Sequence, residues 1–339
     1  MPRIGVRIPA CAPIDRIAEL IVQAERLGFD SAWLPDSQLI WRDTWMALAL
    51  AAARTSRITL GTAVSNVVTR HPSVIASATR TLLELAPGRF VLGLGVGWSS
   101  AGMVGLPTTK NKEFSQAIRD IRALLRGEKV QFNDVIGELT DPVGECRIYL
   151  GTQGPRNLHT AGELSDGVIL TMTLPPALLA EKLVHLRSGV DAAKRSPEAA
   201  EVVVWAPILV TDDLDADLRR LKPMVLISLR NQPMDELAAA GIFERYEGPV
   251  PPGIEPDGTH IANLDLAVES CDALVDDEMA RRWIQAFSLV GNAEELKSQC
   301  RALRERGVGT VLLTPLGEDN SQTLPTQMVE DVAKALLAD

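Results

Sequence analysis

Histidine and cysteine are scarce in this chain, four of each among 339 residues, and both are scattered. Cys11, Cys146, Cys271 and Cys300 form no CxxC pair, so the spacing builds neither a zinc knuckle nor a disulfide framework, and the thiols are expected to be reduced and packed in the core. His71, His159, His185 and His260 make no HExxH and no histidine–carboxylate cluster at ligand spacing, and no GxSxG elbow is present. Metal hydrolysis and acyl transfer through an activated nucleophile are therefore set aside, and no metal is expected. Basic residues are in deficit: 34 Lys and Arg stand against 44 Asp and Glu, a net charge of −10, which opposes a surface for nucleic acid or anionic membrane. Long apolar runs are lacking too. The longest, MALALAAA, falls far short of a membrane span, and MPRIGVRIP enters a strand with no leader pattern, so a cytoplasmic protein acting on a small-molecule substrate is expected.

What the chain does contain is a rhythm. With 46% hydrophobic residues it can bury one large core. Short apolar strands alternate with amphipathic helices from the first residues: IGVRIP before IDRIAELIVQAERLG, SAWLPD before TWMALALAAART, ITLGTAVSN before PSVIASATRTLLEL, FVLGLGVG before EFSQAIRDIRALLRG. The rhythm resumes with RIYLGTQG and RNLHTAGEL, then DGVILTMT and PALLAEKLVHLRSGVDAAKR, then VVVWAPILVT with a helix from Asp213, and finally GTVLLTPL with TQMVEDVAKALLA. Eight such units close into a (β/α)8 TIM barrel, a single domain over residues 1–339. Two stretches break the pattern, at about 127–145 and about 222–288. The second holds the proline- and glycine-rich YEGPVPPGIEPDG and lies between strands seven and eight, where it would project from one end of the barrel.

The stretch GRFVLGLGVGWSS could open a dinucleotide fold, but three complete units precede it and the acid at the right spacing, Glu113, starts a helix instead of ending a strand. In a barrel it is the carboxyl end of the fourth strand, where active sites of this fold sit, and its glycines are read as letting a flat ligand approach the backbone. The other strand ends offer Arg7, Asp36 and Ser37, Ala63 to Asn66, Thr152 to Gly154, and Thr171 to Thr173. This set is polar yet poor in acids and bases, so the chemistry is expected from a bound cofactor. Backbone amides of Thr152-Gln153-Gly154 with Arg156 form an anion cradle at a helix start. Trp98 beside the glycine turn reads as a pocket wall. His71 before Pro72 reads as a helix cap, and His159 and His185 lie on helices where a solvated or core role is the default.

GTAVSNVVTRHPSVIA, LGTQGPRNLHTAGELSDGVIL, SLVGNAEEL and AELIVQAERLGFDSAWLPD resemble the bacterial-luciferase-like superfamily, nearest to its methylenetetrahydromethanopterin reductase branch, and the similarity runs over nearly the whole chain. The resemblance implies a (β/α)8 barrel and the deazaflavin coenzyme F-420 (F420), with FMN as the alternative cofactor. It also implies a non-prolyl cis peptide at Ala63-Val64 behind the cofactor ring with Asn66 beside it and Gly97 nearby, and a phosphate site at Thr152, Gln153, Gly154 and Arg156. Asp36 takes the place of the family's strand-two aspartate. Three positions depart from the family pattern: Ser37 where a histidine is common, Trp98 where a carboxylate is usual, and Arg7 where the reductase branch has an acid. With those proton-handling side chains changed, Asp36 is read as polarising the cofactor or relaying a proton through Ser37 and a water, and Arg7, Trp98, Thr171 and Thr173 as facing the substrate. The implied function is F420-dependent oxidoreduction of a small organic substrate in a homodimer or larger homo-oligomer. A luciferase-like monooxygenase using reduced FMN and a non-catalytic deazaflavin-binding protein are the alternatives.

Overall fold

A computed structural model describes residues 1–254, 258, 260–316 and 324–338. Its frame is eight parallel strands: β1 (Arg3–Arg7), β2 (Ser31–Leu34), β3 (Thr59–Thr62), β4 (Phe90–Gly95), β5 (Arg147–Gly151), β6 (Gly167–Thr171), β7 (Glu201–Val210) and β8 (Thr310–Pro315). They pair in sequence order, and β8 returns to β1, so the sheet closes. The strands are buried on both faces, which is why they read as runs of Val, Ile and Leu with little alternation. Around them lie α1 (Ile14–Leu27), α2 (Thr44–Arg54), α3 (Pro72–Leu85), α4 (Asn111–Leu125), α5 (Pro155–Leu164), α6 (Pro176–Ala192), α7 (Ala293–Glu305) and α8 (Thr326–Leu336). Each turns an apolar stripe inward; on α1 the buried residues are Ile17, Ala18, Leu20, Ile21 and Ala24, the spacing of one helical face.

The seventh helix differs from the sequence reading. The segment Leu214–Asn231, expected to be the crossover after β7, runs unbroken through the anticipated boundary at Lys222 and packs with Leu264–Cys271 and Asp277–Phe287 in an apolar cluster of its own. The barrel's outer ring is completed instead by α7, whose Leu296, Cys300 and Leu303 enter the main core. Helical period alone cannot distinguish the two, since both carry an apolar stripe. The break at 127–145 contains an antiparallel pair, Val130–Phe132 with Val135–Gly137. Of the proline- and glycine-rich loop, residues 255–257 lie outside the described residues.

The amino end of the barrel is plugged. Tyr149 Oη donates to Glu201 at 2.6 Å, Thr310 Oγ1 donates to it at 2.5 Å, and Arg3 pairs with it. Burial opposes ionisation of Glu201, but Arg3, Thr310 and Tyr149 outweigh it and hold the carboxyl below the ordinary range. A cavity of about 580 Å³ lies beside this plug, lined by Arg3, Arg187, Glu201 and Gly309. It sits at the stability face of the barrel, so the carboxyl ends of the strands are the place to look for chemistry. All four cysteines are buried, and burial pushes the thiols of Cys146 and Cys300 up to about 12. Among the described residues no helix is long and apolar enough to cross a membrane, and no group of three or more His, Cys, Asp or Glu is placed to hold a metal ion.

Candidate active site

The third strand is irregular where the site begins. It pairs with β4 through Leu60–Phe90 and Gly61–Val91, then again through Ser65–Leu94 and Asn66–Gly95, so it carries one extra residue between the two pairings. That is a bulge, and the peptide Ala63-Val64 within it is cis. Thr62 fills the gap in the ladder, its Oγ1 accepting from Gly93 N at 2.9 Å and donating to Gly93 O at 2.7 Å. The Val64 side chain is pressed into two neighbouring strands. A Cβ on Gly95 would lie 2.6 Å from Val64 Cγ2, one on Gly151 would lie 2.9 Å from Val64 Cγ1, and one on Gly93 would lie 1.9 Å from Thr62 O. The glycines of β4 and β5 therefore make room for the bulge. This corrects the sequence reading, in which a ligand was to approach through them. Gly97 has φ +88°, and it forms the turn beside Asn66. The Asn66 amide is occupied by that turn: Oδ1 accepts from Val68 N and Thr69 N, and Nδ2 donates to Ser100 Oγ at 2.8 Å.

Asp36, 5% exposed, anchors the far side of the bulge. It accepts from Arg70 Nε at 2.8 Å and Nη2 at 3.1 Å, from Ser65 Oγ at 2.6 Å and from Trp45 Nε1 at 3.2 Å. Arg70 also reaches Asp43 at 2.7 Å. Asp36 makes no direct hydrogen bond to Ser37 among the described residues; Ser37 Oγ pairs with Ser99 Oγ at 2.8 Å. Arg70 escaped the sequence reading although it lies in TRHP, since nothing in a single sequence ties it to a carboxylate 34 residues earlier. Burial would raise the carboxyl of Asp43, but Arg70 and the Met46 N–H outweigh it and hold it below the usual range. A depressed carboxylate stabilises the fold above the unfolded pKa of about 4 and loses that contribution as pH falls through its folded value. Asp43→Asn should accordingly lower the thermal midpoint at about pH 6, and the difference from wild type should shrink as pH falls below about 4, which melting curves across that range would check.

Arg7, at the end of β1, points across the mouth. Its Nε donates to Ala63 O at 3.1 Å, and its Cζ lies 4.7 Å from the Trp205 ring centroid and 5.8 Å from that of Trp41. Burial pushes its guanidinium down to about 10, so it stays charged at neutral pH. Among the described residues no carboxylate pairs with it. Trp205 Nε1 donates to Thr314 Oγ1 at 2.7 Å, whereas the buried Nε1 of Trp41 has no hydrogen-bond partner among the described residues. Trp41 is also met edge-on by His260 at 5.0 Å, which brings the inserted region over the mouth. Trp41 and Trp205 were missed in the sequence: one sits in a loop and the other in the apolar run VVVWAPILV. Trp98, expected as a wall, opens the short helix Trp98–Gly102 and is 70% exposed.

The turn after β5 completes the face. Gly154 precedes α5, and a Cβ there would meet nothing within 4 Å. Arg156 is exposed in the first helical turn, with no side-chain partner among the described residues. Thr152 is buried and its N–H donates to Ile169 O at 3.3 Å. Gln153 faces inward: Nε2 donates to Thr171 O at 3.2 Å and Oε1 accepts from Lys182 Nζ at 2.7 Å. Thr173 Oγ1 donates to Thr171 O at 3.1 Å, so Thr171 and Thr173 brace this turn. Lys182 continues to Glu236 at 2.5 Å, Gln232 Nε2 donates to Glu236 at 3.4 Å, and Gln232 Oε1 accepts from Trp283 Nε1 at 3.1 Å. A buried polar chain thus ties the inserted helices to the turn. Lys182 was detectable, because it shares a helical face with Leu179, Leu183 and Leu186.

The profile of the luciferase-like monooxygenase family matches residues 1–310. The chain is 29% identical over 332 residues to the 5,10-methylenetetrahydromethanopterin reductase of Methanolobus tindarius, covering 94% of this chain and 96% of that protein. It is 31% identical over 236 residues to the F420-dependent glucose-6-phosphate dehydrogenase of Nakamurella multipartita, covering 63% of this chain and 69% of that protein. The solved coenzyme F420-dependent tetrahydromethanopterin reductase of Methanopyrus kandleri superposes with a TM-score of 0.78 at 25% identity, over 99% of this chain and 98% of that one.

Proposed function

The chain belongs to the luciferase-like monooxygenase family, and from that premise we propose that it is a coenzyme F420-dependent oxidoreductase that transfers a hydride between the deazaflavin and a small organic substrate. The observation that carries the reading is a pair of features on one barrel face. A bulge lodged in the glycines of β4 and β5 presents the Ala63-Val64 backbone, and the first turn of α5 offers open space at Gly154 beside Arg156, whose side chain has no partner among the described residues. These residues fit the coenzyme: Ala63 and Val64 would back its ring, with Asn66 and Gly97 shaping the edge, and Thr152, Gln153, Gly154 and Arg156 would hold its phosphate. Bound there, the deazaflavin supplies two-electron chemistry that no side chain of this chain can supply.

The protein's own part is positioning and proton supply. Asp36, through Arg70 and Ser65, fixes the bulge. Ser37 and Ser99 share one hydrogen bond between two hydroxyls, which leaves one O–H of the pair able to donate to a reacting oxygen or nitrogen. Thr171 and Thr173 act through Gln153, and Trp98 stands at the rim. An assembly of two or more copies belongs to the same proposal, and light scattering tests it.

Arg156→Ala should weaken coenzyme binding by roughly ten- to a hundred-fold, the effect of losing one charge-assisted contact to a phosphate. Unchanged affinity at low and moderate salt would place the phosphate elsewhere. The function itself is tested by anaerobic turnover. Reduced F420 mixed with the protein and a panel of carbonyl, imine and activated-alkene compounds should yield oxidised F420 with at least one of them. Sustained oxygen uptake with reduced FMN, and no F420 oxidation, would make the chain a monooxygenase instead.

A further inference from the structure

We propose that the substrate of this site carries a carboxylate, and that Arg7, set against Trp41 and Trp205, binds it. The inference rests on the redox reading above and adds to it the chemical class of the substrate. Arg7 is charged and largely withdrawn from water, and among the described residues it pairs with no carboxylate; its one hydrogen bond there, Nε to Ala63 O at 3.1 Å, leaves both Nη groups without a partner among those residues. A guanidinium in such a place costs free energy unless an anion compensates it, and a carboxylate lying in its plane makes two parallel bonds to the fork. The two indoles, with ring centroids 4.7 and 5.8 Å from Cζ, lie against the guanidinium and help to keep it in place. The orphaned Trp41 Nε1 is a further buried donor in the same group of side chains.

A single negative charge suffices. The other cations near the mouth are committed or distant in role: Arg70 serves Asp36 and Asp43, and Lys182 serves Gln153 and Glu236. Arg7 alone balances the single charge of a carboxylate in full and only half the charge of a phosphate dianion, which favours the carboxylate. The bond to Ala63 O places this anion site against the backbone behind which Val64 is lodged, so a bound acid would lie next to the platform assigned to the coenzyme ring.

The experiment titrates benzoate and benzamide, two probes of nearly equal shape that differ in charge, into the coenzyme-free and the F420-loaded protein. Tryptophan fluorescence and the thermal midpoint are read, and neither depends on turnover. Wild-type protein should bind benzoate at least about ten-fold more tightly than benzamide, and Arg7→Gln should reduce the ratio to about one, as expected for a charge-assisted pair. Arg7→Lys should keep part of the preference, which separates loss of charge from loss of packing. F420 affinity, read from the coenzyme's own fluorescence, should change by less than about ten-fold in both variants, since only the one bond to Ala63 O is lost there. Equal binding of the two probes to wild-type, or a benzoate preference that survives Arg7→Gln, would overturn the proposal. Loss of F420 binding in Arg7→Gln would also overturn it, by assigning the arginine to the coenzyme. Failure of wild-type protein to bind F420 at all is a separate result, and it would remove the redox reading on which the substrate class rests.

Discussion

Asp36→Ala is expected to destabilise the protein by about 3 kcal/mol and to weaken coenzyme binding at the same time. Breaking a buried ion pair by removing one partner costs roughly 3–5 kcal/mol, because the other charge is left uncompensated. Arg70 retains Asp43 and is 22% exposed in its side chain, so the lower end of that range applies. Asp36→Asn keeps an oxygen for Ser65 and should lose less. The two possible roles of Asp36 separate on these variants. A proton relay predicts that Asp36→Asn lowers kcat by 100-fold or more on the order of general acid–base effects, with stability and coenzyme affinity intact. The bidentate contact to Arg70 and the bond from Ser65 predict instead that stability and affinity fall together while kcat at saturating coenzyme changes little. Chemical denaturation and coenzyme titration of the same two variants decide it.

The second large effect concerns the glycines. Gly95→Ala places a methyl 2.6 Å from Val64 Cγ2, and such overpacking costs about 1–3 kcal/mol. Val64→Ala removes that atom and leaves Val64 Cβ at 3.7 Å, an ordinary contact, so the double variant should recover most of what Gly95→Ala loses. A double-mutant cycle should thus give a coupling of about 1 kcal/mol or more in favour of the pair. Gly93→Ala is the control. Its methyl would lie 1.9 Å from the backbone oxygen of Thr62, which no side-chain truncation can relieve, so Val64→Ala should not rescue it. Additive effects of Gly95→Ala and Val64→Ala would mean that the glycines serve something other than the bulge.

These cases mark how far a single sequence reaches. The barrel was legible because each strand is an apolar run bounded by turn residues and followed by a helix with one apolar face. The strand ends gave Arg7, Asp36 and the Thr152–Arg156 turn for the same reason. The seventh helix was misplaced because Leu214–Asn231 and α7 have equivalent patterns, and only packing assigns Leu296 and Leu303 to the main core. The glycine run was located but misread, since its purpose depends on Val64 of another strand. Arg70, Trp41 and Trp205 carry no local signal at all; their roles arise from side chains brought together by closure of the barrel. Lys182 did carry one, a lone cation on an apolar helical face.

Equilibrium titration of the purified protein with oxidised F420 and, side by side, with FMN tests the central claim most directly. The bulge at Ala63-Val64 with the open, arginine-flanked turn at Gly154 predicts saturable binding of F420 at micromolar concentration and much weaker binding of FMN, with Arg156→Ala reducing the F420 affinity. Tight FMN binding without F420 binding would contradict the account.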